Sequence, residues 1–285
     1  MPYITVGMEN SAPIDLYYED HGSGRPVVLI HGYPLASNAW EKQMPALVSA
    51  GFRCIAYDRR GFGKSSHPGI GYEYDTFATD LEILMNELDL RDAILIGHSM
   101  GTGEITRYIA RAGSDRVARA VLISALPPML VKTADNPEGL DQSIFDGFTR
   151  QAMADRYAFT TAFFNNFYNY EQNKGKLVSE EVFRANWNLA VSAAPKATID
   201  CISTWMTDFR ADVPRVDVPV LIIHGDADNV LPYPATAPRM QAMLPNSELV
   251  TLKGAPHAIP WTHAEDVNKA ILNFVAAPAM AGSRR

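Results

Sequence analysis

The chain has 285 residues, 47% of them hydrophobic and 20% charged, which is ordinary globular usage and excludes collagen, a coiled coil and a disordered tail protein. Lys+Arg 25 against Asp+Glu 32 leaves a net charge of -7 with no basic stripe, which argues against a nucleic-acid or anionic-membrane partner. Two cysteines, Cys54 and Cys201, each sit in an apolar stretch outside any CxxC, which predicts buried thiols in a reducing, cytoplasmic compartment. The opening MPYITVGMENSAP has no basic segment followed by an apolar one, so no signal peptide is expected. No apolar run reaches the ~18 residues that span a bilayer.

In chain order, residues 14–20 alternate, with Ile14, Leu16 and Tyr18 on one face, and read as an antiparallel edge strand. The runs 27–30, 54–57, 93–96, 121–123 and 220–223 are short and continuously apolar, as in a sheet buried on both faces. Helical patterns at 39–50, 77–88 and 100–112 lie between several of them. Strand and helix in alternation imply an α/β fold with a mostly parallel, doubly wound sheet. After Pro127-Pro128 the pattern changes. To about Val213 there are helix-like segments, clearest at 141–168 and 179–192, rich in aromatics and without a convincing strand. The block 127–213 reads as a helical cap inserted into a core of 1–126 and 214–285; the alternative is more core filled with aromatics. The small, polar tail 276–285 is expected to fray.

The stretch 93–101, AILIGHSMG, is the most informative. It is a strand, then G-x-S-x-G, then a helix, the context in which a Ser sits on a sharp, strained turn above a sheet. Gly97 and Gly101 let the helix cross close to the strand. Ser99 is the candidate nucleophile, and the Met100 N–H at the helix start is placed to stabilise an oxyanion. Two resemblances to nucleotide loops fail. Gly61–Ser65 ends like a P-loop, but Asp58 stands where its first Gly is needed, and Thr106 replaces the last Gly of a dinucleotide fingerprint starting at Gly101.

A Ser hydroxyl needs a base. Of seven histidines, His98 points away from the elbow if Ser99 points into it. His21 and His67 lie in early loops, His31 and His224 read as structural hydrogen-bonders, and His263 falls at a helix start. His257, just beyond the apolar strand 249–252, is left where open α/β sheets place their sites. The orienting acid follows strand 220–223, where Asp228 can reach further than Asp226, which reads as a turn cap. The order Ser99, Asp228, His257 is that of an α/β-hydrolase. The second oxyanion donor falls in the loop after strand 27–30. There Gly32 allows close approach, the Tyr33 N–H donates, and Pro34 stiffens the chain.

Taken together, His31–Leu35 (HGYPL), Tyr57–Ser65 (YDRRGFGKS), Gly97–Glu104 (GHSMGTGE), His224–Pro232 (HGDADNVLP) and Gly254–His263 (GAPHAIPWTH) resemble the cofactor-free bacterial haloperoxidases. That group of α/β-hydrolases includes perhydrolases, aryl esterases and γ-lactamases. The resemblance runs nearly end to end and includes 198–210 of the cap. It implies the triad Ser99, Asp228 and His257, oxyanion donors at Tyr33 and Met100, and an apolar acyl pocket under the cap. Phe145, Phe163, Trp205 and Val230 are candidate walls. Pro34, next to the oxyanion residue, resembles the pattern of members that handle peroxide well. Ala258-Ile259-Pro260 departs from the family's Gly-Leu after the His, which leaves the pocket's shape there unspecified.

The expected function is acyl transfer from an ester or small carboxylic acid to water, or to hydrogen peroxide to give a peracid that oxidises halide. No metal or haem is implied, and the family implies a homo-oligomer. The alternatives are a plain carboxylesterase or γ-lactamase, and, in another class, a hydrolase-fold small-molecule receptor.

Overall fold

The apolar runs become the inner strands of one eight-stranded sheet. The structure, a computed structural model, describes residues 2–276; beyond Ala276, the tail expected to fray lies outside the described residues. The strands are β1 (Tyr3–Glu9), β2 (Ala12–Gly22), β3 (Pro26–Ile30), β4 (Arg53–Tyr57), β5 (Ala93–His98), β6 (Val117–Ile123), β7 (Val220–Gly225) and β8 (Ser247–Leu252), in the spatial order β1-β2-β4-β3-β5-β6-β7-β8. The β1–β2 and β2–β4 pairs are antiparallel, and every later pair is parallel.

Segment 14–20 is therefore not the edge strand it was expected to be. Its full length, β2, lies second in the sheet, and β1 covers it. The β1 strand escapes a periodicity reading because only Ile4 and Val6 are buried and its pairing shifts register between Thr5 and Gly7.

The helices are α1 (Gln43–Ser49), α2 (Tyr74–Glu87), α3 (Met100–Ala112), α4 (Gln142–Ala154), α5 (Arg156–Tyr168), α6 (Tyr170–Asn173), α7 (Glu180–Ser192), α8 (Pro195–Thr204), α9 (Ala237–Met243), α10 (Ile259–Thr262) and α11 (Ala264–Ala276). The pattern 39–50 divides into a 3₁₀ turn, Ser37–Trp40, and α1. Pro45 lacks an N–H and is tolerated only in a helix's first turn, which fixes where α1 can begin. Segment 141–168 is broken at Asp155, whose extended backbone ends α4 and whose side chain caps α5 by accepting from the Tyr157 and Ala158 N–H groups, both at 3.0 Å.

Strand alternation sorts the core into two layers. Val28, Ile30, Ile55 and Leu95 pack with α2 and α3 residues on one face. Val27, Leu29, Ile94, Ile96, Leu221 and Ile223 pack with α1 and α11 residues on the other. Helices α4–α8 occupy the chain between β6 and β7. Their aromatics divide. Phe145 and Phe159 join the cluster on the sheet, whereas Phe164, Phe167 and Tyr168 form a separate cluster with Leu35 and Ala258.

Candidate active site

Strand β5 runs directly into α3, and Ser99 occupies the turn with φ 53° and ψ -119°. A non-glycine residue held there costs on the order of 1–3 kcal/mol, and such strain concentrates at functional sites. The surroundings over-determine it. The Ser99 N–H donates to Ile123 O at 2.8 Å, and the Ser99 carbonyl accepts from Thr102 N–H at 2.9 Å and Thr102 Oγ1 at 2.6 Å. A Cβ on Gly97 would lie 2.7 Å from Gly101 O, and one on Gly101 would lie 2.3 Å from Ile30 O. Both glycines are needed for the crossing, as the sequence predicts.

The loop after β3 lies against this turn, since a Cβ on Gly32 would stand 2.9 Å from Ser99 Cβ. Among the described residues, neither the Tyr33 N–H nor the Met100 N–H donates to another protein group. Both expected oxyanion donors are thus unspent. The Tyr33 hydroxyl donates to Thr198 O in α8 at 3.0 Å.

His257 is fully buried, and its Nδ1 donates to Asp228 Oδ2 at 2.7 Å. Its Nε2 has no hydrogen-bond partner among the described residues, so Asp228 and His257 are joined while Ser99 and His257 are not bonded to each other. Such bonds are often long in a ligand-free site and tighten in the Michaelis complex. The His257 carbonyl accepts from His98 Nε2 at 3.1 Å and Ser124 Oγ at 3.2 Å, and the two imidazoles stand 4.9 Å apart. His98, expected to point away from the site, instead supports the backbone of His257. Strand alternation does turn it away from Ser99, but the His257 loop lies over the end of β5 and meets it there. Burial, and then the neighbouring His257, push His98 down to about 3, so it stays neutral.

Asp228 accepts three hydrogen bonds. Oδ1 takes the Val230 and Leu231 N–H groups at 2.8 and 2.7 Å, and Oδ2 takes His257 Nδ1 at 2.7 Å. His224 Nε2, which donates to Leu231 O at 3.1 Å, also stands 3.2 Å from Oδ2. Burial by itself raises the carboxyl's pKa, but attraction to His257 and the contacts with His224 and His257 outweigh that and hold Asp228 below the usual range. His224 is the structural hydrogen-bonder the sequence suggests, and its approach to the Asp228 carboxylate is the additional finding. Its spacing of four from Asp228 is a signal only once the loop is known to double back. Asp226 Oδ1 instead accepts the Gly254 N–H at 2.5 Å, the turn role expected of it.

Ser99 opens into a cavity of about 320 Å³. Phe145, Phe163, Trp205 and Val230 line it, together with Tyr33, Phe148 and Phe159, the last two of which the sequence analysis did not single out. Pro34 is not in the lining. The turn closed by the Leu35 N–H on Gly32 O, at 3.1 Å, presents Tyr33 to the cavity and leaves Pro34 buried elsewhere. Among the described lining residues none is charged, and Ser99 is the only serine or threonine. Among the described residues, no three His, Cys, Asp or Glu side chains are grouped to hold a metal ion, and no helix is long and apolar enough to cross a membrane.

The fold and this arrangement define an α/β-hydrolase, and residues 25–264 match the alpha/beta hydrolase fold family, to which the chain belongs. Within that family it is 56% identical to a putative non-heme chloroperoxidase of Synechocystis over 275 residues, 96% of this chain and 100% of that one. It is 37% identical to a bifunctional esterase/perhydrolase of Acinetobacter calcoaceticus, over 92% of this chain and 96% of that one. The crystal structure of a bromoperoxidase from Bacillus anthracis superposes with a TM-score of 0.93 at 46% identity, covering 97% and 99% of the two chains. These relatives place the chain in the non-heme haloperoxidase and esterase/perhydrolase group.

Proposed function

We propose that this chain is a serine hydrolase and perhydrolase acting through an acyl-enzyme on Ser99. The observation that carries the reading is an imidazole tied to a carboxylate through Nδ1, with an unspent Nε2, packed on His98, the residue that precedes a strained Ser opening into an apolar cavity. In this reading Ser99 Oγ attacks the carbonyl carbon of an ester or neutral carboxylic acid as His257 Nε2 takes its proton. Asp228 holds the Nδ1–H tautomer and stabilises the imidazolium. The Tyr33 and Met100 N–H groups stabilise the tetrahedral oxyanion, and losing one such donor costs roughly 10²–10³ in rate. His257 then returns the proton to the departing oxygen.

Deacylation repeats these steps with another nucleophile. Water gives the acid. Hydrogen peroxide, losing its proton to His257, gives the peracid, which then oxidises halide in solution. Residues 127–213 act as the cap and 1–126 with 214–285 as the core. The unpaired, buried Cys54 and Cys201 support a cytoplasmic location. A homo-oligomeric state comes into this reading from the family resemblance.

The test compares wild type with Ser99→Ala on an aryl acetate, on a γ-lactam, and on acetate plus hydrogen peroxide. Wild type should form peracid and hydrolyse the aryl ester, and the variant should do neither. A variant that retained both activities would end the reading. A wild type that hydrolysed ester or lactam but formed no peracid would reduce it to a carboxylesterase or lactamase.

A further inference from the structure

Nothing in the acyl-transfer chemistry uses the buried group formed by His31, Arg59, Glu104 and Tyr57. These side chains connect the two oxyanion donors. The Gly32 carbonyl and the Tyr33 N–H belong to one planar peptide unit, so whatever holds that oxygen also aims that N–H. The Gly32 oxygen is held by His31 Nδ1 at 2.9 Å and by the Leu35 N–H at 3.1 Å. His31 Nε2 meets the Arg59 N–H at 2.9 Å. An amide N–H can only donate and a carbonyl can only accept, so His31 carries its proton on Nδ1. Burial, and then Arg59, keep its ring neutral.

Arg59 grips the same segment a second time, donating from Nη2 to His31 O at 2.9 Å. Its Nε and Nη2 reach Glu104 Oε2 at 2.8 and 2.7 Å, and Tyr57 donates its hydroxyl to Glu104 Oε1. Glu104 lies on α3 four residues after Met100, about one helical turn. The helix that supplies one oxyanion donor therefore anchors the residues that orient the other. Stability alone does not call for such a buried pair, because apolar replacements of similar volume are often neutral or stabilising.

The geometry points to His31, braced by Arg59 and Glu104, as the positioning residue that holds the Tyr33 N–H in register with the Met100 N–H. The inference rests on Ser99 being the nucleophile. Its test measures kcat and KM for an aryl ester, and affinity for a boronic acid that forms a tetrahedral adduct, in three variants. His31→Leu removes both imidazole bonds. His31→Asn keeps a donor near the Nδ1 position. Arg59→Met with Glu104→Leu removes the brace without leaving a lone buried charge.

His31→Leu should lower kcat and boronate affinity by about 10–100-fold while KM moves less than about threefold. The double variant should lower kcat by about tenfold, and His31→Asn should recover most of the loss. A folded His31→Leu with kcat within about twofold of wild type would overturn the inference. Should these variants fail to fold, ¹⁵N NMR of the wild-type histidines decides. His31 should be protonated on Nδ1 and remain neutral at about pH 5, and an Nε2–H tautomer or an ordinary titration would overturn it. A fluorophosphonate probe separates the two levels. An unlabelled wild-type Ser99 would sink the nucleophile reading, whereas a labelled wild type beside an unimpaired His31→Leu would sink only the positioning role.

Discussion

Replacing Asp228 with Asn probes the site through one atom pair. The carboxylate faces three hydrogen-bond donors, the Val230 and Leu231 N–H groups on Oδ1 and His257 Nδ1 on Oδ2, with His224 Nε2 standing 3.2 Å from Oδ2. An amide has a single acceptor oxygen, and turning its NH₂ toward the two backbone donors would set N–H against N–H. The oxygen therefore stays on Oδ1's side, and the NH₂ confronts His257 Nδ1. His224 already donates to Leu231 O at 3.1 Å and keeps its proton. His257 has none there and must move its proton to Nε2, the atom that should accept from Ser99. With the tautomer reversed and the negative charge gone, kcat should fall by about 10⁴, or about 5.5 kcal/mol of transition-state stabilisation. Saturating aryl-ester hydrolysis measures it, with urea unfolding as the control for folding. A folded variant with kcat within about tenfold of wild type would refute the assignment.

Three further outcomes follow from the same geometry. Gly32→Ala puts a Cβ 2.9 Å from Ser99 Cβ and 3.0 Å from His98 Nδ1; kcat should drop by about 10² for a stability cost of about 1–3 kcal/mol, and an unchanged kcat would contradict the close approach. His98 is lowered on folding to about 3, so the unfolded chain binds the extra proton and stability is present above about pH 6.5 and lost as pH falls. Between about pH 7 and 5, urea unfolding of wild type should lose about 2 kcal/mol more than that of His98→Gln, and parallel losses would show that His98 is not held neutral. Finally, the cavity lining carries no charge among the described residues, so a free acid should enter only in its neutral form. Above the acid's own pKa, peracid formation from acid relative to that from its ester should fall about tenfold per pH unit; a constant ratio would mean that the carboxylate itself is bound.

Much of this site is legible in the sequence because its parts are local. A continuous apolar run such as 93–96 admits few readings, and a strand-turn-helix with Gly97 and Gly101 around Ser99 can hardly be built otherwise. His257 and Asp228 could be placed because each follows a strand of a parallel sheet, so chain order fixes the end of the sheet on which they lie. What escaped depends on how distant segments meet. His224 looks like any residue ending a strand until Asp228 folds back onto it. His98 does face away from Ser99, but only the path of the 257 loop brings it beneath the imidazole. Strand β1 is half-exposed and irregular, so it lacks the pattern that marks the buried strands, and Pro34 lies outside the lining because of how one turn presents Tyr33.

Covalent chemistry at one hydroxyl underlies every step of the proposed reaction. Intact-mass analysis of wild-type enzyme, acid-quenched during turnover of a slowly deacylating aryl ester and followed by peptide mapping, reads it directly. One acyl group on the peptide containing Ser99, discharged faster when hydrogen peroxide is added, is the predicted result. Turnover without any adduct, or an adduct on a different residue, would contradict it.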